Sequence, residues 1–230
     1  MSTRREFLTG LALAPFMVHL TAAQSGAAHN VEIWQEDHCL SLESATGFRH
    51  LVSRNPPATC FAGGRTASGS LIIAPGIRWM SLSIAAGLAD RIHQGAWVIL
   101  ESGLAFSSRT ESKHQGDLLK KVFGVQLLPS VKVGKNPAAA TYLEYTRPVH
   151  RLVRTFEAIT PVRCDQSEAL ARLGEHSVCI RKRIGDGTLV FLGSMLGPGI
   201  GAEEREAIEV ASALLTPDSE GIFNSTFRPI

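Results

Sequence analysis

Two short apolar runs flanking a capped amphipathic helix constrain this chain more than anything else in it. Ser70-Leu71-Ile72-Ile73-Ala74 is stopped by Pro75-Gly76 and has the form of a buried strand. Ser81 is placed to cap a helix running to about His93, with Leu82, Ala85, Leu88, Ala89 and Ile92 on one face. Gly95 stops that helix, and Ala96-Trp97-Val98-Ile99-Leu100 reads as a second buried strand, ended by Glu101-Ser102-Gly103. Strand, helix and strand within about 30 residues form a βαβ unit. Such units build parallel sheets with helices on both faces.

The flanking sequence extends the pattern. Val31 to Trp34 is a first strand, and Leu40 to Val52 has a helical pattern that Asn55-Pro56-Pro57 ends. Gln115 to Phe123 reads as a helix closed by Gly124, followed by a short strand at Val125 to Leu128. Thr141 to Tyr145 and Val162 are strand residues, Val149 to Phe156 reads as a short helix, and Ala202 to Leu215 as the final helix. Ser177 to Arg183 and Thr188 to Leu192 form a β-hairpin around Gly185-Asp186-Gly187. The expected class is α/β: a three-layer sandwich with a mainly parallel sheet and an antiparallel edge hairpin.

The N-terminus adds an address. Ser2-Thr3-Arg4-Arg5-Glu6-Phe7-Leu8 has the form of a twin-arginine export signal. The apolar stretch from Leu8 to Leu20 is broken by Gly10, Pro15 and His19, and falls short of the roughly 20 apolar residues a bilayer span needs. Small residues at Thr21-Ala22-Ala23 and Gly26-Ala27-Ala28 offer cleavage sites. The expectation is a signal over residues 1–28, one α/β domain over 29–230, a periplasmic location, and no stable membrane span after cleavage. Net charge is +2, and Arg4 and Arg5 lie in the signal, so nothing points to nucleic acid. The cysteines Cys39, Cys60, Cys164 and Cys179 allow three pairings. Cys39–Cys60 with Cys164–Cys179 is the local option, and buried free thiols are the alternative. No Cys-x-x-Cys or His-x-His spacing is present, and no metal or cofactor is expected.

From Leu71 to about Leu196 the order of elements resembles the glutamine-amidotransferase-like fold, and in particular the non-catalytic version similar to the middle domain of some beta-galactosidases. The stretches that carry the resemblance are Leu71 to Gly76, Leu88 to Leu100, Gly116 to Val125 and Gly185 to Ser194. Active members of that family place a cysteine nucleophile on the turn after the strand that here is Ala96 to Leu100. Anchored on Gly95, the resemblance puts that position at Ser102. Active members also carry His-Pro-Glu after a late strand, where this chain has Gly193-Ser194-Met195. The cysteine, histidine and glutamate positions are therefore not filled.

Ligands of open α/β sheets bind at the carboxyl ends of the strands. The candidates there are Arg78, Trp79, Glu101, Ser102 and Ser194. Glu101 serves either as a general acid or base or, the favoured reading, as a solvent-facing carboxylate. Arg78-Trp79 grips an anion or a sugar ring, or is an edge-packed tryptophan beside a solvated arginine. Ser102 has no evident base except His114, which is close in sequence only. Arg181-Lys182-Arg183 reads as a solvated face, and the glycine-rich Gly193 to Gly201 as a structural turn. The leading expectation is a non-catalytic binding or assembly module whose partner is an unknown protein or small-molecule ligand. The alternative is a periplasmic hydrolase or amidotransferase-like enzyme using Ser102 or a cysteine. A redox or cofactor-carrying protein is a weaker third class.

Overall fold

A computed structural model describes residues 17–20, 31–34, 42–54, 70–102, 108–132, 141–156 and 158–216. Cys39, Cys60 and most of residues 1–28, over which an export signal is expected, lie outside the described residues. The four parallel strands at the heart of the sheet are β2 (Val31–Trp34), β3 (Leu71–Ile77), β4 (Trp97–Ser102) and β13 (Gly187–Leu192), adjacent in that order. Strand β1 (Met17–Leu20) pairs antiparallel with β2 at one edge. Beyond β13 the sheet turns antiparallel through β12 (His176–Ile184), β11 (Ser167–Leu173), β7 (Tyr142–Tyr145) and β8 (Arg151–Arg154). The short strands β5 (Gln126–Leu127) and β10 (Val162–Arg163) join at β12, while β6 (Val131–Lys132) and β9 (Ala158–Ile159) pair separately. The protein is thus α/β with a mixed sheet, and its antiparallel side is larger than a hairpin.

Alternation along the central strands divides the core into two halves. Ile33, Leu71, Ile73 and Ile99 face α1 (Leu42–Arg54) and α5 (Arg205–Leu214). Ile72, Ala74, Val98 and Leu100 face α2 (Leu82–His93) and α3 (Arg109–Phe123). A period of two with both faces covered explains why these strands read as continuous apolar runs. Each fully buried side chain contributes about 1.5–3 kcal/mol of transfer free energy. Helix ends follow local chemistry: Ser81 Oγ accepts from Ile84 N–H, and Ser108 Oγ accepts from Glu111 N–H. Gly124, left-handed at φ 70°, closes α3.

Several sequence expectations change. β3 does not stop at Pro75-Gly76 but passes through it as a bulge, the register jumping from Ala74↔Leu100 to Ile77↔Ser102. Gly76 sits there at φ 59°, open to glycine at no steric cost. The segment read as a helix from Val149 is strand β8, because β7 offers it a full ladder and Val153 is buried beneath. The glycine-rich stretch read as a turn contains a short helix, α4 (Gly197–Gly201), ahead of the expected final helix, which is α5. Cys164 and Cys179 are both free, so the local pairing between them does not form. Two members of the basic run are engaged while Arg183 is exposed: Arg181 pairs with Glu168 at 2.6 Å, and Lys182 Nζ donates to Phe123 C=O at 3.0 Å. The second contact places a cation at the negative end of α3.

Helices α1 and α4 meet through glycine. A Cβ built on Gly197 lies 2.1 Å from Ser44 Oγ and 2.3 Å from Ser44 Cα, while one built on Gly87 of α2 meets nothing within 4 Å. Gly197→Ala is therefore expected to cost about 1–3 kcal/mol or more, because helix backbone must move. Gly87→Ala is expected to gain about 0.5–1 kcal/mol. Urea unfolding of both variants beside the wild type checks the contrast.

Candidate functional site

The carboxyl edge of the parallel strands is formed by the bulged end of β3, the end of β4 and the segment after β13. Strand alternation sends the last two side chains of β4 to opposite faces. Glu101 follows Ile99 toward α1, and Ser102 follows Leu100 toward α3. Both are 0% exposed.

The Glu101 carboxylate is met by hydrogen-bond donors from separate segments. Oε2 accepts from Ser44 Oγ of α1 and, at 2.9 Å, from Gly76 N–H. Oε1 accepts from Leu196 N–H at 2.7 Å and from Gly197 N–H at a longer 3.5 Å. The bulge explains one of these donors: it releases Gly76 N–H from the β3–β4 ladder at the position opposite Glu101. The solvent-facing reading of Glu101 is therefore overturned. Burial pushes its carboxyl above the usual carboxylate range, and the four donors pull part of the way back. On the same side of the sheet, Tyr145 Oη and Cys179 Sγ lie 3.2 Å apart, both buried. Burial pushes the Cys179 thiol up to about 12, so it remains protonated at neutral pH.

Ser102 belongs to a second network on the opposite face. Its Oγ donates to Ile77 C=O at 2.6 Å and accepts from Gln115 Nε2 at 3.1 Å. Gln115 Oε1 in turn accepts from Met80 N–H at 3.2 Å. This network ties the end of β4, the exit from β3 and α3 together. His114, the base suggested by proximity in sequence, turns away and stacks on Trp79, with ring centroids 5.7 Å apart and planes at 17°. His150 pairs with Glu144 at 2.9 Å on the antiparallel side. Arg78 Nε lies 4.0 Å from Glu111 Oε2, and Ser194 is buried where it bridges to Ile159.

The candidates thus separate. Arg78, Trp79 and Ser102 gather on the α3 side, whereas Glu101 points to the α1 side, where the backbone just beyond Ser194 reaches it. A serine whose proton is committed to a carbonyl is a poor nucleophile, and a carboxylate enclosed by donors is poorly placed to take a proton from substrate. Sequence reading missed Ser44, Gln115 and the Tyr145–Cys179 contact. None carries a local motif, since each acts across 13 or more residues.

No protein-family model matches the chain, and no curated protein does. Solved structures share its fold. A cytoplasmic protein of Salmonella typhimurium, STM3548, superposes with a TM-score of 0.53 at 9% identity, covering 86% of this chain and 94% of that one. The exo-beta-1,4-mannosidase Op5Man5 from Opitutaceae bacterium strain TAV5 gives 0.53 at 14% identity, covering 80% of this chain and 34% of that one. A beta-galactosidase from Bacillus circulans sp. alkalophilus gives 0.45 at 15% identity, over 62% of this chain and 23% of that one. The chain therefore spans only about a quarter to a third of the glycosidases it resembles. The likeness is one of fold alone, an α/β arrangement with a mixed sheet.

Linkage gives the Glu101 site a pH signature. Its folded pKa is raised, so its favourable contribution is complete below about pH 4.5 and is lost as pH rises through the folded value. The stability advantage of wild type over Glu101→Gln should narrow across that rise. The advantage itself should be about 1–3 kcal/mol at the acid end, where an amide NH2 replaces one acceptor among buried donors. Chemical denaturation of both proteins from pH 4 to pH 8 measures the gap.

Proposed function

We propose that this chain is an exported, non-catalytic amidotransferase-like domain that acts as a binding or assembly module. The observation that carries this reading is the use made of the strand end where the resemblance places a nucleophile. Ser102 is wholly buried, its proton is held by Ile77 C=O and its acceptor role is filled by Gln115. Glu101 beside it is spent on Ser44 and three backbone N–H groups. Both side chains hold the scaffold together, which leaves neither poised for acyl transfer.

Two further features support the reading. Cys179, the buried thiol on the α1 side, is held protonated by desolvation. The same fold occurs as nearly the whole of the Salmonella protein and as about a third of a mannosidase, so it stands alone or serves as part of a larger assembly. The exported, periplasmic part of the proposal rests on the Arg4-Arg5 motif and the apolar stretch behind it. Among the described residues no helix is long and apolar enough to cross a membrane.

The test is covalent labelling of the intact protein. A fluorophosphonate should leave no adduct on Ser102, and iodoacetamide at pH 8 should leave Cys179 unmodified until the chain is denatured, both read by peptide mass spectrometry. A fluorophosphonate adduct that disappears in Ser102→Ala would establish a serine enzyme instead.

A further inference from the structure

The group on the α3 side of the carboxyl edge has the make-up of a carbohydrate subsite. We propose that Trp79, His114, Arg78 and Glu111 form a binding surface for a pyranose ring of a neutral oligosaccharide. The inference rests on the non-catalytic reading and gives that module its ligand class.

The geometry begins on α3. Glu111, His114 and Gln115 are spaced to share one face of the helix. Gln115 is the buried anchor of that face, bonded to Ser102 Oγ and to Met80 N–H. These bonds fix the segment leaving β3 against the helix, so Trp79 meets His114 in a near-parallel stack at 5.7 Å and Arg78 meets Glu111 at 4.0 Å. Trp79 is half-buried and His114 is exposed. The Arg78 and Glu111 side chains keep 38% and 29% of their surface in solvent.

Chemistry selects the ligand. A pyranose presents a face of C–H groups carrying slight positive charge, which complements the negative face of an aromatic ring. Its equatorial hydroxyls form a rim of paired donors and acceptors. Arg78 supplies donors in a fork and Glu111 supplies acceptors, so one rim hydroxyl pair can bond to both. Opposite charges on Arg78 and Glu111 nearly cancel, which suits a neutral ring better than an anion. The position matches the general rule that open α/β sheets take ligands outside the carboxyl ends of their strands. On this account Ser102 and Gln115 are positioning residues: they brace the platform from beneath and touch no ligand.

The test titrates the full chain with mannotetraose, galactotetraose and cellotetraose. Binding is followed by intrinsic tryptophan fluorescence and thermal shift, and the sugars are then recovered and sized by chromatography. The expected result is a saturable fluorescence change and a raised Tm with at least one of the three, and intact sugar afterwards. Trp79→Ala should abolish the response, and Arg78→Gln should weaken it about tenfold. Both variants replace partly exposed side chains, so unchanged far-UV circular dichroism and Tm without sugar will show that they fold. Trp34→Phe should bind as wild type does. No saturable response to any of the three sugars, or a response that survives Trp79→Ala, would overturn the proposal. Binding accompanied by shortened sugars would support the surface while overturning the non-catalytic reading, so the two fail separately.

Discussion

A single buried carboxylate organises the carboxyl edge of this sheet. Glu101 is wholly buried, and its oxygens hold α1 through Ser44, the β3 bulge through Gly76 and the start of α4 through Leu196 and Gly197. A charge in such a place is tolerable only because every approach to it is a donor. The rest of that corner follows from satisfying it. The bulge frees Gly76 N–H, the glycine at 197 lets α4 reach Ser44, and the segment after β13 turns so that its N–H groups converge.

The neighbouring residue shows the same economy on the other face. Ser102 Oγ links Ile77, Gln115 and, through Gln115, Met80. Two adjacent residues at the tip of one strand thereby brace both outer layers against the sheet. A hydroxyl and a carboxylate used in this way stabilise geometry at the cost of reactivity, since activation would require breaking the bonds that hold the edge in place. Surface chemistry is left to side chains that the braces position, chiefly Trp79, His114, Arg78 and Glu111.

Much of the fold was legible because its signals are local. The strands from Leu71 and Trp97, the Ser81 cap and the Gly185-Asp186 hairpin turn need no partner to be recognised. The misreadings came where partners decide. Pro75-Gly76 looked like a stop, yet a bulge absorbs both residues because β4 continues beside them. Val149 to Phe156 has enough apolar residues for a helix turn, yet pairing with β7 makes Arg151–Arg154 a strand. Arg78, Trp79, Glu101, Ser102 and Ser194 do lie at or just past the carboxyl ends of β3, β4 and β13, an edge that fold class alone predicts. Their roles were not legible: burial of Glu101 depends on Ser44, 57 positions away, and no local pattern announces such a contact.

The most direct test of this account is a carbon-13 NMR titration of the Glu101 side-chain carboxyl, assigned by comparison with Glu101→Gln. The account predicts a carboxyl that titrates above the ordinary carboxylate range, because burial outweighs the opposing pull of its four donors. A carboxyl that titrates in the ordinary range, with the shift of a solvated glutamate, would contradict it.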